Sequence, residues 1–150
     1  CSQQFAPQIS SDYIIGINSR AHVTVLQVDM DPIKVTDILQ NHAGLSMTIS
    51  TRGMYCDNGS GGLYWYGLRV QNTSALMDFQ DTILEELGRP STINTTGAGY
   101  FPHVTLGHGP LDDHRAVPDM SGLVKTYNVS LALGISGPKY QFETQLWPPL

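Results

Sequence analysis

Positive charge is scarce in this chain of 150 residues, which has eight Lys and Arg against 13 Asp and Glu and a formal net charge of −5. Proteins that follow a long nucleic-acid backbone need an extended cationic surface, so long nucleic acid is not an expected partner. A small phosphorylated ligand is compatible with this composition, because one anionic group needs only a local set of hydrogen-bond donors.

Cysteines and long apolar runs are also few. The two cysteines, Cys1 and Cys56, fit neither a disulfide framework nor a thiolate zinc site, which takes about four ligands. No apolar stretch approaches the roughly 20 residues that cross a bilayer as a helix, so no transmembrane segment is predicted. The hydrophobic content of 41% can still enclose a core, and residues 1–150 are expected to form one domain.

The N-terminal residues leave the location of the protein open. Cys1 followed by Ser-Gln-Gln is consistent with the lipid-bearing start of a bacterial lipoprotein, although any trimmed boundary also explains it. Residues 1–12 are polar and contain a proline, which predicts a loosely held segment. A weak preference for an extracytoplasmic over a cytoplasmic location comes from four N-x-[ST] sequences. They begin at Asn58, Asn72, Asn94 and Asn128.

Hydrophobic periodicity predicts strands and helices in mixed order. One helix is expected to begin at Pro32, with Asp31 as its N-cap, and to end before Gly44. A second is expected between Thr73 and Gly88. Strands are predicted at 13–17, 23–28, 45–50, 63–70, 101–107, 127–135 and 140–147, with the third and fourth forming a hairpin. This order favours an α+β fold of two lobes with mainly antiparallel sheets.

Two copies of one short pattern are the strongest chemical signal in the chain. They read His22-Val23-Thr24-Val25 and His103-Val104-Thr105-Leu106, and the two histidines are 81 positions apart. Side chains two apart on a strand share a face, so each copy would present an imidazole and a hydroxyl together. One copy alone is typical of a half-exposed strand. The second copy, with apolar residues at the same places, favours a shared functional site.

The paired H-x-[ST]-[apolar] motifs resemble those of the 2H phosphoesterase superfamily. This superfamily includes bacterial 2'-5' RNA ligase-like proteins, 2',3'-cyclic nucleotide phosphodiesterases and viral 2'-5' oligoadenylate phosphodiesterases. The resemblance covers residues 13–150 and extends to Pro102 before the second motif and to the aromatic ending at 140–150. It implies two pseudo-symmetric α+β lobes around a central cleft.

The expected activity is hydrolysis of a 2',3'-cyclic phosphate or a 2'-5' linked oligonucleotide. One of His22 and His103 would take a proton from water and the other would give one to the leaving oxygen, and the sequence leaves open which does which. Thr24 and Thr105 would donate to the non-bridging phosphate oxygens. This scheme requires no metal and no cofactor, and its partner is a small nucleotide or short oligonucleotide.

Other residues are weaker candidates for contact with the substrate. His108 is out of phase with His103 and joins its face only if the strand twists or bulges after Gly107. A stacking surface for a base is expected among the aromatic residues, with Tyr100 and Tyr140 as the candidates and core packing as the alternative for each. Tyr64, Trp65 and Tyr66 belong to the same pool. His42 and His114 are interpreted as surface residues.

Three alternatives stay open at this point. The first is a binding module that holds a nucleotide or sugar phosphate without turnover, and the second is an RNA end-joining enzyme, against which the net charge argues. The third is a metal site, although its residues do not match a known zinc spacing. They are His103, His108, Asp112, Asp113 and His114.

Overall fold

A computed structural model describes residues 20–58, 63–110, 121–137 and 142–149. Several predictions fall outside these residues: the lipid attachment at Cys1, the loosely held segment 1–12 and the strand at 13–17. The described part is α+β, with mostly antiparallel strands in a sheet curled into a half-barrel and two short helices. The elements are α1 (Pro32–Leu39), β1 (Ser46–Asn58), β2 (Leu63–Val70), α2 (Ser74–Glu86), β3 (His103–Pro110), β4 (Thr126–Ser130), β5 (Leu133–Ser136) and β6 (Phe142–Trp147).

Both helices begin where the capping residues predict. The Asp31 side chain accepts a hydrogen bond from the backbone N–H of Ile33 at 2.9 Å, with Pro32 in the first turn. The Thr73 hydroxyl caps α2 in the same way. Beyond α2, Gly88 adopts φ +76°, the left-handed conformation that often follows a helix end. In the described part of the chain, no helix is long and apolar enough to span a membrane.

The strands form a four-stranded sheet in the order β3-β2-β1-β4 and a separate β5-β6 pair. β1 and β2 form a hairpin that pairs over seven positions, from Thr51↔Val70 to Asn58↔Tyr64. The first strand of this hairpin was predicted too short, because residues 46–50 of the predicted strand pair with β4 and the pairing with β2 is made by 51–58. The single strand predicted at 127–135 is wrong, since β4 pairs with β1 and β5 pairs with β6. Val129 of β4 packs in one hydrophobic cluster, and Leu133 of β5 packs in another. The alternation of apolar and polar residues therefore continues through 127–135, although the two halves pair with different strands.

The hydrophobic core lies between the helices and the inner face of the large sheet. Ile49, Val70 and Leu76 pack together there with Tyr100. A second cluster joins the two helices through four buried side chains, and Trp147 of β6 packs against it. These are Val35, Leu39, Ile83 and Leu87. Burial of each such side chain contributes about 1.5 to 3 kcal/mol to the free energy of unfolding. This packing holds the sheet in place, together with the His103–Leu106 motif on β3.

Candidate functional site

The first motif lies on an extended segment that is not a strand of either sheet. Residues 20–27 have no ladder in the described structure, and Val28 makes only an isolated bridge to Thr92. The strand predicted at 23–28 is therefore wrong. Val23 and Val25 do pack into the core beside Val104, as their alternation with polar residues predicts.

Side-chain amides replace the missing ladder. Gln80 of α2 is fully buried and donates from Nε2 to the Val25 carbonyl at 2.7 Å, while its Oε1 accepts from the Gly97 N–H at 3.1 Å. Asn94 accepts from the Gln27 N–H at 2.6 Å and also donates to the Val25 carbonyl at 3.2 Å. These bonds satisfy backbone groups that a neighbouring strand would otherwise pair.

Tyr100 links the two motif segments. Its ring is buried at 6% exposure, and its hydroxyl donates to the Thr24 carbonyl at 2.8 Å. Burial raises the pKa of Tyr100 to about 12, so the hydroxyl keeps its proton and remains a donor. This placement favours the packing role over the stacking role considered for Tyr100. Tyr140, the other aromatic candidate, lies outside the described residues.

The second motif lies on a strand of the large sheet. His103 and Thr105 alternate on β3 with Val104 and Leu106, which pack into the core. His103 is paired with Arg69 of β2. The β3 part of the strand prediction at 101–107 is confirmed, with the strand running on to Pro110. The second motif is therefore held by ladder pairing, whereas the backbone of the first is held by side chains.

The two motif histidines are anchored in the same way. His22 Nδ1 lies 2.6 Å from the carbonyl oxygen of Arg20, and His103 Nδ1 lies 2.7 Å from that of Phe101. A carbonyl can only accept, so each Nδ1 carries the proton in the neutral ring and Nε2 carries the lone pair. Each carbonyl belongs to the residue two positions before its histidine. The two motifs therefore share the anchoring of their imidazoles as well as their sequence.

The surroundings of His22 lower its pKa. Burial lowers it below the ordinary 6.5, the bond to the Arg20 carbonyl partly offsets this, and the charge of His103 lowers it further. Each ring also has an aromatic neighbour. The His22 and Phe142 ring centroids lie 5.3 Å apart, and those of His103 and Phe101 lie 5.5 Å apart.

His108 is brought into phase with the second motif by a bulge. The register of β3 against β2 shifts between Gly67 and Tyr66, so Leu106 has no partner and His108 pairs with Trp65. By this register, His108 shares the face of Thr105, as the sequence analysis required, although the bulge precedes Gly107. The His108 ring lies 4.2 Å from that of Trp65, and its burial lowers its pKa.

A cavity of about 440 Å³ lies beside the first motif. His22 and Thr24 line it together with many apolar side chains from both helices and from β1, β4 and β5. Of the described residues that line it, none belongs to the second motif. The cavity is therefore a space against the core, and it is distinct from the cleft between the motifs that the resemblance implies.

The remaining histidines and acidic residues form no metal cluster in the described part. No group of three or more His, Cys, Asp or Glu side chains there is placed to hold a metal ion. Asp112, Asp113 and His114 of the alternative cluster lie outside the described residues. His42, interpreted as a surface residue, lies beside Glu86 with His42 Nε2 2.8 Å from the carboxylate, and joins the turn after α1 to the end of α2.

Two arginines next to the second motif were missed at the sequence level. Arg52 and Arg69 are single cations within strands, and only the sheet register shows that they are neighbours of each other and of His103.

Comparison of the chain with protein-family models, with curated proteins and with solved structures found no match.

Proposed function

We propose that the protein is a metal-independent phosphodiesterase of the 2H type, with two lobes around a cleft, that hydrolyses 2',3'-cyclic phosphates or 2'-5' linked oligonucleotides. The observation that supports it best is the matched anchoring of two imidazoles, each through Nδ1 to the carbonyl two residues earlier. This anchoring presents two Nε2 atoms of the same tautomer. Reactions that need one proton acceptor and one donor on opposite sides of a phosphorus atom use such a pair.

The threonine hydroxyls complete the chemistry. Thr24 and Thr105 each lie two residues after a motif histidine, and on β3 this spacing places His103 and Thr105 on one face. Their hydroxyls would donate to the non-bridging oxygens of the phosphate as negative charge builds up there during attack by water. His108, in phase with Thr105 and fixed by its contact with Trp65, is the further candidate for contact with the substrate.

His22 has a neutral ring at neutral pH and is therefore available to accept a proton. Its pKa lies below 6.5 because the ring is buried and His103 is near, so the ring is neutral at neutral pH. We assign it as the general base that takes a proton from water at Nε2. His103 then acts as the general acid and protonates the leaving oxygen. The repulsion between the two rings favours the state in which only one carries a charge.

Activity is expected to persist into mild acid. Since the pKa of His22 is held below 6.5, the base stays neutral at pH values where an ordinary histidine is half protonated. The acidic limb of the pH profile of kcat/KM should therefore have its midpoint below 6.5. Initial rates across the acid to neutral range measure this. A midpoint at or above 6.5 contradicts the assignment of His22 as the base.

A product assay tests the proposal directly. The full chain is incubated with 2',3'-cyclic AMP and with a 2'-5' linked diadenylate, with and without a chelator, and the products are separated by chromatography. We expect ring opening to a nucleoside monophosphate or cleavage of the 2'-5' bond, at equal rates with chelator. Binding without turnover would instead identify a binding module, and joining of RNA ends would identify a ligase. Loss of activity in chelator would contradict metal independence.

A further inference from the structure

Two arginines lie side by side on the large sheet, next to the second motif. Arg52 of β1 is paired with Arg69 of β2, and Arg69 is paired with His103 of β3. Cross-strand partners project to the same face, and adjacent strands lie about 4.8 Å apart. The backbones of Arg69 and Arg52 are therefore roughly 5 and 10 Å from that of His103. Both arginines are exposed, on the face opposite the core residues Val70 and Leu68.

Arg52 and Arg69 have no acidic partner among the residues that the structure describes. The ion pairs found there join His42 to Glu86 and Arg89 to Glu85. Like charges directly opposite each other destabilise a sheet. Two facing arginines in a chain of net charge −5 therefore point to an anion that binds between them.

An aromatic side chain places Arg69 next to the catalytic ring. The Arg69 guanidinium carbon lies 5.6 Å from the centroid of the Phe101 ring, and that ring lies 5.5 Å from the ring of His103. Phe101 is 44% exposed, so the stack is at the surface where a ligand can reach it. The planar guanidinium has donors spaced to bind two oxygens of one phosphate, which the flexible lysine ammonium does less well.

We propose that Arg52 and Arg69 form a second anion subsite, which binds a phosphate that the substrate carries in addition to the ester cleaved between the two histidines. The inference rests on the proposed function and narrows it. The preferred substrate is a nucleotide with a further phosphate one sugar away, such as a 5'-phosphorylated ribonucleoside 2',3'-cyclic phosphate. Arg69 lies one strand away from His103 and Arg52 lies two strands away, which matches the distance between the two phosphates of such a substrate.

The test compares two substrates that differ in one group: adenosine 2',3'-cyclic phosphate and the same compound with a 5'-phosphate. We expect the full chain to hydrolyse the 5'-phosphorylated compound with a kcat/KM about tenfold higher at low salt. Arg52→Gln and Arg69→Gln should each reduce that ratio several-fold, and the double variant should bring it close to one. Arg89→Gln, the same substitution at an exposed arginine after α2, is the control and should leave the ratio unchanged.

The outcomes separate this inference from the proposed function. If both compounds are hydrolysed at equal kcat/KM, or if the arginine variants slow both equally, the subsite is overturned while the phosphodiesterase stands. If neither compound is hydrolysed, the phosphodiesterase fails, and calorimetry with adenosine 3',5'-bisphosphate and adenosine 3'-monophosphate decides on the subsite. Tighter binding of the bisphosphate that depends on Arg52 and Arg69 supports the subsite. Equal affinity overturns it.

Discussion

Replacement of His22 or His103 by alanine is expected to lower kcat/KM for a cyclic phosphate by about 10² to 10⁴-fold in each case. In the proposed mechanism, each change removes one of the two proton transfers, and the remaining imidazole cannot serve both sides of the phosphorus atom. The double variant should be little worse than either single variant, because groups that act as a unit lose their effect together. Initial rates at fixed enzyme concentration measure all three variants.

His42→Ala is the matched control for these two substitutions. His42 interacts with Glu86 at the end of α2 and belongs to neither motif, so its replacement should leave kcat/KM close to that of the parent chain. Thermal unfolding of each variant distinguishes a lost catalytic group from a lost fold. If His22→Ala and His103→Ala both fold normally and retain more than a tenth of the parent activity, two-histidine catalysis is excluded.

Gln80→Ala is expected to destabilise the chain by about 2 to 4 kcal/mol. Gln80 is fully buried and bonds both the Val25 carbonyl and the Gly97 N–H. Alanine leaves a cavity and deprives two backbone groups of a partner. Because Val25 ends the first motif, catalytic rate should also fall in the fraction that stays folded. Urea unfolding gives the free energy, and rates under native conditions give the second effect.

Asp81→Ala provides the comparison at the next position of α2. Asp81 is exposed, so its replacement should change the free energy of unfolding by no more than about 0.5 kcal/mol. Gln80→Glu keeps the shape of the side chain but replaces the donor to the Val25 carbonyl with an acceptor, so it should also destabilise. A Gln80→Ala variant as stable as the parent chain would show that the amide does not hold the first motif in place.

Local signals were sufficient for the helices. The cap at Asp31 with Pro32, and the apolar stripe between Thr73 and Gly88, depend on residues within a few positions of each other, so the sequence displays them directly. The alternation of both motifs correctly predicted which residues enter the core. It did so for the first motif even though no ladder forms there, because alternation reports burial and not hydrogen-bond pairing.

Features that depend on distant residues were not predictable. The bulge at Leu106, which brings His108 into phase, arises from the match between β2 and β3. The division of 127–135 between two sheets depends on which strand lies alongside. Gln80 and Asn94 were missed because a polar side chain on a helix or in a loop is normally solvated. The neighbouring positions of Arg52 and Arg69 emerge only from the register of three strands.

The two motifs are supported by different parts of the chain. β3 pairs with β2 on both sides of its bulge, whereas the segment that carries His22 is held by Gln80, Asn94 and Tyr100 and by the packing of Val23 and Val25. Residues far from either histidine in sequence therefore set the position of one of them, so substitutions in α2 or in the loop after it can act on the first motif and leave the second unchanged.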